Sequence, residues 1–302
     1  VKKFQQALQA ERIAITADLT LTSSSGPEDI ARQVQLLGPW VDGMQVTDNP
    51  FAWSQMSALS AAVLLQQRGV DPIPIFNCRD RNRIALISDL LGLRALGVSN
   101  VLLTRGHKIP DGHPVKATPV FDTSGRELVA LAAQIGEGEP RPPGQDFFIG
   151  VGARAFRPPR NWNAESLNER SGSGAQFLQT QLCFNTDILR EYMQRLVDTR
   201  ITWKYSVIIS LAVIPSAVTA RWLKQNMTDS RIPDTLVKRL DGASAPEQEG
   251  VAICAELMQQ IAEVPGVSGI NLMTMGNADH VQAAIQQSGL RSDLLHPEKV
   301  EN

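Results

Sequence analysis

The side chains able to do chemistry in this 302-residue chain collect directly behind short apolar runs. Asp18, Thr47-Asp48-Asn49, Asn77-Cys78-Arg79, Arg105-Gly106-His107, Arg154, Thr180-Gln181 and Thr274 all stand in such positions. Carboxylates, an imidazole, side-chain amides and several cations suit a substrate with an aromatic, hydrogen-bonding ring and acidic groups. No set has metal-ligand spacing: the four histidines are scattered and no His-Glu-x-x-His occurs. No Gly-x-Ser-x-Gly marks a nucleophile elbow. Cys78 or Cys183 is conceivable as a nucleophile, but both lie in apolar strand ends, where a buried structural thiol is the commoner state. With Cys254 they make three widely spaced cysteines, which argues against both a disulfide framework and a zinc site.

The elements that must carry these groups read as eight strands, each followed by a helical pattern. The strand-like runs are Ile13–Asp18, Gly43–Thr47, Ile73–Cys78, Val101–Thr104, Phe147–Gly152, Phe177–Gln181, Ser206–Leu211 and Val267–Met273. They are rich in Val, Ile, Leu and Phe and alternate poorly with polar residues, as strands buried on both faces do. Helices are expected from Pro27, after possible caps at Ser23–Ser25, and over Ala52–Arg68, Asp80–Leu96, Thr186–Arg200, Ser216–Asn226 and Gln248–Val264. A terminal helix, 277–288, closes at Gly289. In the Thr186 helix, Leu189, Met193, Leu196 and Val197 form the apolar stripe. Lys108–Thr123 is a long loop after the fourth strand, on the face where function is expected. The Gly/Pro/Glu-rich Gly136–Gln145 precedes a strand and reads as a connection.

Eight βα units in about 300 residues predict a (β/α)₈ TIM barrel forming a single domain over 1–302. The rival is a doubly wound open sheet, weakened because no Gly-x-Gly-x-x-Gly follows the first strand. In a barrel, Val101–His107 ends in a turn that becomes part of the active-site floor. A net charge of −2 without blocks of like charge lacks the electrostatic footprint of a nucleic-acid binder. The apolar runs are too short to span a membrane, and Val1-Lys2-Lys3-Phe4 leads into an amphipathic segment with no signal-peptide core. A cytoplasmic location is the default expectation.

Several blocks, in order, resemble those of methylenetetrahydrofolate reductases. They are Thr47-Asp48-Asn49-Pro50, Cys78-Arg79-Asp80-Arg81-Asn82-Arg83 with Leu90-Leu91-Gly92, and Arg105-Gly106. Asp111-Gly112-His113-Pro114 with Val120-Phe121-Asp122 follows, then Gly174-Ala175-Gln176-Phe177 leading into Gln179-Thr180-Gln181. The likeness runs from about Ile13 to Leu290 and is nearest to the bacterial branch with the Cys-Arg-Asp-Arg-Asn block. It implies a barrel that holds FAD at the strand C-termini, takes hydride from NAD(P)H and passes it to a tetrahydrofolate derivative. Self-association, or membership of a larger complex, is implied as well.

Carried over by position, the resemblance makes Asp18, His107 and Gln181 the catalytic set. It makes Thr47, Asn77, Thr104, Arg105, Gly106, His107, Ala153 and Arg170 the cofactor-facing set. Asp18 stands where the family has a glutamate that anchors and protonates the pterin, and it is about one methylene shorter; a misplacement of roughly 1 Å can cost on the order of a hundredfold in rate. Gln181 matches the glutamine that orients the substrate. His107 replaces an aspartate near the flavin, worth roughly 3 kcal/mol at about 6 Å and an effective dielectric of about 20. That corresponds to about 60 mV towards easier reduction. Arg170 stands where a lysine is usual. Ile75 replaces a flavin-contacting histidine, Ala153-Arg154-Ala155 lacks the usual tyrosine, and Ser210–Pro215 lacks the usual glycine. His113 reads as structural.

Three functions follow as expectations. The first is a flavin-dependent oxidoreductase interconverting methylene- and methyl-tetrahydrofolate. The second is a tetrahydrofolate-dependent methyltransferase or demethylase using the same pocket without flavin. The third is a non-catalytic folate- or flavin-binding subunit.

Overall fold

In the computed structural model, residues 3–135 and 146–292 are described. Gly136–Gln145, read above as a connection, lies outside them. Eight parallel strands close in sequence order into one barrel, β1(Ala14–Asp18), β2(Gly43–Val46), β3(Pro72–Asn77), β4(Asn100–Thr104), β5(Phe148–Ala153), β6(Phe177–Leu182), β7(Ser206–Ala212) and β8(Val267–Met273). Strand β8 pairs with β1 in register Thr16↔Asn271. The open-sheet rival is thereby eliminated, and the strand runs fall within a residue or two of their expected limits.

Eleven helices accompany the strands among the described residues: α1(Lys3–Gln9), α2(Pro27–Leu37), α3(Ala58–Gln67), α4(Arg83–Ala95), α5(Gly125–Gln134), α6(Glu165–Gly172), α7(Thr186–Asp198), α8(Ala217–Asn226), α9(Asp234–Asp241), α10(Pro246–Ala262) and α11(Ala278–Ser288). Their starts follow local chemistry. The side chains of Asn82, Ser124 and Asn185 accept from the third amide beyond them, at 3.0, 3.2 and 3.0 Å, satisfying donors that a helix cannot pair internally. Helix α2 begins at Pro27 with Gly26 as its cap, rather than at the serines before it.

Several expectations change. The helix expected over Ala52–Arg68 begins only at Ala58, capped by Ser57, because Asn49, Phe51 and Ala52 take left-handed backbone around Pro50. In α7, Leu189, Met193 and Leu196 are buried but Val197 is on the exposed side.

Inside the barrel the lower half is apolar. Phe4, Ala7 and Leu8 of α1 close the bottom against Ile73, Leu102, Phe148, Phe177 and Ile208. Phe4 meets Phe148 and Phe177 edge-on at ring centroid distances of 5.9 and 5.4 Å. This stack depends on Gly150, since a Cβ there would lie 2.1 Å from the Phe177 ring. Above it the interior turns polar: Thr16, Gln45, Gln179, Asn271 and Asp18 are all buried.

The Ser216–Asn226 segment, expected to be one of the ring helices, does another job. Helix α8 leaves the C-terminal end of β7, and the 3₁₀ turn after it meets the end of β6, where the Phe184 amide donates to the Ser230 carbonyl at 2.9 Å. Both ends of α8 therefore stay on the C-terminal rim. The return down the barrel wall belongs to α10, which meets the segment just after β7 so closely that a Cβ at Gly250 would lie 2.0 Å from the Ile214 carbonyl oxygen.

Candidate active site at the strand C-termini

Asp18 is the last residue of β1 and retains only 7% exposure. Its Oδ1 accepts a 3.0 Å hydrogen bond from Nδ2 of Asn271 on β8. Asn271 Oδ1 accepts in turn from the Thr16 hydroxyl at 2.8 Å. Burial raises the Asp18 carboxyl to about 6, with the Asn271 amide pulling the other way. A carboxyl so tuned holds or releases a proton near neutral pH, as a general acid–base group must. Oδ2 makes no hydrogen bond among the described residues, yet it is not among the atoms sealed from solvent. It is the carboxyl oxygen those residues leave unpaired.

Across the barrel, the Gln179 amide donates to Gln45 Oε1 at 2.9 Å and accepts from Gln45 Nε2 in return. This reciprocal pair links β2 to β6 and forms a satisfied polar floor. Gln181, two residues further on, is exposed at the end of β6 beside a register shift between Gln179 and Leu182.

The Thr-Asp-Asn and Cys-Arg-Asp-Arg-Asn blocks make a rim of ion pairs. Arg81 grips the Asp48 carboxylate through two nitrogens, at 2.7 and 3.0 Å, and reaches Asp89 at 2.8 Å. Arg79 pairs with Asp80 at 2.6 Å and donates to the Asn49 carbonyl at 2.9 Å. Asn77 is fully engaged in the same network: its amide donates to Asp48 Oδ2 at 2.6 Å, and its Oδ1 accepts from the Arg79 amide at 2.8 Å. The long 108–123 loop is pinned here, Val120 and Phe121 donating to the carbonyls of Arg79 and Cys78 at 2.7 and 3.0 Å. Asp122 accepts from the Arg83 amide at 2.8 Å, and His113 packs 4.6 Å from the Trp53 ring while its Nδ1 accepts from Val115.

The remaining candidates divide into committed and open groups. The Thr47 carbonyl accepts from Gln55 at 2.6 Å. Thr104 is half-buried at the end of β4, opposite Asn77 in the strand register. Arg105 is exposed, with its guanidinium 4.9 Å over the Phe121 ring and no ion pair among the described residues. Gly106, at φ +80°, turns the chain against Asn77, whose Cβ would lie 3.1 Å from an added Cβ. His107 beyond it is exposed. Ala153 is half-buried at the end of β5. Arg170 directs its guanidinium onto the carbonyls of Gly152 and Ser166, at 2.7 and 3.2 Å.

FAD, which the resemblance implies, needs cations for its diphosphate and open backbone near its ring. Arg105 and the Gly106–His107 turn are uncommitted and fit that need. Asn77 at the end of β3 and Arg170 beside β5 are held by protein partners, so the fit is centred on the β4 turn. The thiols do not fit nucleophilic roles: Cys78, Cys183 and Cys254 are all buried, and burial pushes each upwards, Cys254 to about 12. No group of three or more metal-ligating side chains occurs among the described residues. No described helix is long and apolar enough to cross a membrane.

Above the site the segment after β2 carries left-handed backbone at three non-glycine residues, Asn49, Phe51 and Ala52. Each such residue stores roughly 1–3 kcal/mol, and these conformations concentrate at functional sites. The exposed Phe51 ring meets Trp222 of α8 edge-on at 6.1 Å, linking the β2 loop to the helix on the rim.

The sequence pointed to Asp18 but missed Asn271, Thr16, Gln45 and Gln179. Thr16, Gln45 and Asn271 are polar residues between apolar neighbours, and Gln179 heads the Gln179-Thr180-Gln181 block, which was the available signal. Barrel enzymes carry their chemistry on the C-terminal face, and Asp18 lies there at the end of β1. Its sequence matches the family model for methylenetetrahydrofolate reductase over residues 3–289, and the chain belongs to that family. An uncharacterized protein from Clostridium thermocellum that binds two copies of 5-methyl-5,6,7,8-tetrahydrofolic acid is similar in structure. Its TM-score is 0.56 at 13% identity, with 94% of this chain and 96% of that chain covered. Aminoacrylate-bound tryptophan synthase from M. tuberculosis gives a TM-score of 0.53 at 10% identity, covering 96% of this chain and 100% of that one. At such identities the likeness is one of fold. No curated protein matches the chain.

Proposed function

We propose that this protein is an oxidoreductase that binds a reduced folate in the barrel mouth and interconverts methylene- and methyl-tetrahydrofolate. The observation that carries the reading is Asp18: a buried carboxyl near neutrality, one oxygen fixed and the other unpaired, at the strand end where the family places its acid. In the reducing direction, opening the methylene bridge requires a proton on the departing nitrogen, and Asp18 Oδ2 is the donor. Gln181, exposed at the end of β6, offers both an N–H and a C=O to the edge of a pterin ring. The Gln45–Gln179 pair closes the floor beneath and excludes water from it.

FAD, when bound, supplies the hydride, having received it from NAD(P)H. Thr47 and the Thr104–Gly106 turn would hold it, with Arg105 facing its phosphates. His107 would leave less negative charge beside its ring than the family's aspartate does. A cytoplasmic location and self-association belong to the same reading.

A second reading, tetrahydrofolate-dependent methyl transfer or demethylation without flavin, is favoured by the engagement of Asn77 and Arg170 with protein partners. Titration of the purified protein with 5-methyltetrahydrofolate and, separately, with FAD tests both. Binding of each, with flavin bleaching on addition of NADH or NADPH, supports the first; folate binding without flavin binding replaces it with the second. Absence of folate binding refutes both.

A further inference from the structure

We propose that Arg154 and Arg231, on the rim opposite Asp18, form a subsite for the carboxylates of the glutamate tail of the bound folate. This rests on the folate reading and deepens it by naming what holds the acidic end of the ligand, the end away from the pterin.

Strand register places Arg154 at the mouth. Between β5 and β6, Gly150 is the partner of Phe177 and Gly152 the partner of Gln179. Phe177 belongs to the interior stack and Gln179 reaches across the barrel to Gln45, so these positions line the inner face. Side chains alternate along a strand. One step further, the same face carries Arg154 and Gln181, both exposed where the two strands end. Beneath Arg154 that face is bare. Gly152 is only half-buried, and a Cβ there would meet Thr104 Cγ2 at 3.8 Å and no other described residue outside its chain neighbours. Glycine inside a strand marks places where a ligand comes close to the backbone.

Arg231 reaches the same rim from the connection after α8. It follows the 3₁₀ turn Thr228–Ser230, whose Ser230 carbonyl accepts from Phe184 at the end of β6. Its backbone is left-handed, at φ +52°, a conformation that concentrates at functional sites. Asp229 stands between the two arginines: Arg154 Nη1 and Arg231 Nη2 each lie 3.8 Å from its Oδ1. Both guanidiniums therefore converge on one carboxylate oxygen, yet neither closes to the roughly 2.7–2.9 Å of a charge-assisted hydrogen bond. Their N–H forks stay available, and two cations against one carboxylate leave net positive charge. Arg157, the next cation along, is instead paired with Glu191 at 3.1 Å. In a closed ring of eight strands β5 lies opposite β1. A folate carries its pterin and its carboxylates at opposite ends. With the pterin at Asp18 and the body of the molecule passing Gln181, the carboxylates arrive at Arg154 and Arg231. The phosphates of a dinucleotide have their own cation at Arg105, on the β4 turn.

Calorimetric titration of the full chain with 5-methyltetrahydrofolate, and with 6-methyltetrahydropterin, which has no glutamate, tests the subsite. Arg154→Gln and Arg231→Gln each weaken 5-methyltetrahydrofolate roughly three- to tenfold, and leave 6-methyltetrahydropterin within about twofold of the native protein. Asp229→Asn removes the competing carboxylate and tightens 5-methyltetrahydrofolate by about twofold or more. A purely structural role for the cluster does not produce that direction. Folate binding that is unchanged in both arginine variants, or that falls equally with 6-methyltetrahydropterin, overturns the subsite while the folate reading stands. A loss confined to FAD overturns it as well and gives the cluster to the flavin phosphates. Tri-γ-glutamate alone, followed through the arginine Nε–H resonances, separates the two claims. Shifts at Arg154 and Arg231 without any folate binding keep the carboxylate subsite and end the folate reading; neither shifts nor folate binding ends both.

Discussion

A carboxyl held at about 6 in the folded protein and near 3.8 in the unfolded chain makes Asp18 a measurable liability for stability. The native state binds its proton more tightly than the unfolded state does. Between these two values the folded form carries more protons, so stability falls as pH rises, at up to about 1.36 kcal/mol per pH unit. The contribution is fully present below about pH 3.8 and has been lost above about pH 6, a total of roughly 3 kcal/mol. Asp18→Asn keeps the shape and keeps an oxygen to accept from Asn271, but has no proton to lose.

The stability of Asp18→Asn relative to the native protein therefore has a specific form. Whatever constant difference the substitution brings, the variant gains on the native protein from about pH 4 and levels off above about pH 6, at a gain of roughly 3 kcal/mol. Every other titrating group is common to both proteins and cancels in the comparison. Equilibrium urea unfolding at half-unit steps from pH 4 to 8 reads the difference directly. The same variant should lose roughly 10²–10⁴-fold in folate turnover, the usual contribution of a placed acid–base group. A difference in stability that is flat with pH would show that Asp18 ionises as an ordinary surface carboxyl. The desolvation argument, and with it the assignment of Asp18 as the acid, would then be refuted whatever the activity did.

Two further outcomes test the scaffold that holds the site. Gly150→Ala should destabilise the barrel by more than roughly 2 kcal/mol, because its methyl would sit 2.1 Å from the Phe177 ring; calorimetric melting of this variant and of Gly150→Ala with Phe177→Leu should show partial recovery in the pair. Arg81→Met should cost on the order of 3 kcal/mol by leaving the buried Asp48 carboxylate without its bidentate partner; adding Asp48→Asn should return most of that, and a double variant no more stable than the single would disprove the pairing as its cause.

The barrel was legible because its strands are buried on both sides. Runs such as Val101–Thr104 and Ser206–Leu211 have no solvated face to interrupt them, and the helix caps announce the change of period between them. What escaped was set by tertiary contact. The segment 52–57 has helical composition, yet Pro50 and the left-handed turn at Asn49, Phe51 and Ala52 delay the helix until Ser57 can cap it. Helix α8 has ring-helix composition as well, but where a helix lies depends on what packs against it, and the Phe51–Trp222 contact joins residues 171 positions apart.

The site divides along the same line. Residues that act through a strand end, such as Asp18, stand out because polarity follows an apolar run. Residues that act from within the run do not: Thr16, Gln45 and Asn271 sit between apolar neighbours, and Gln179 is hidden at the head of Gln179-Thr180-Gln181. Only closure of the barrel brings those four residues into two hydrogen-bonded sets, Thr16–Asn271–Asp18 and Gln45–Gln179. The signature blocks have a structural part as well, since Asn77, Arg79 and Arg81 are engaged with Asp48, Asp80 and Asn49. In this barrel the conspicuous charges pair with one another along the rim, while inconspicuous amides inside the strands hold the Asp18 carboxyl and the floor beside it.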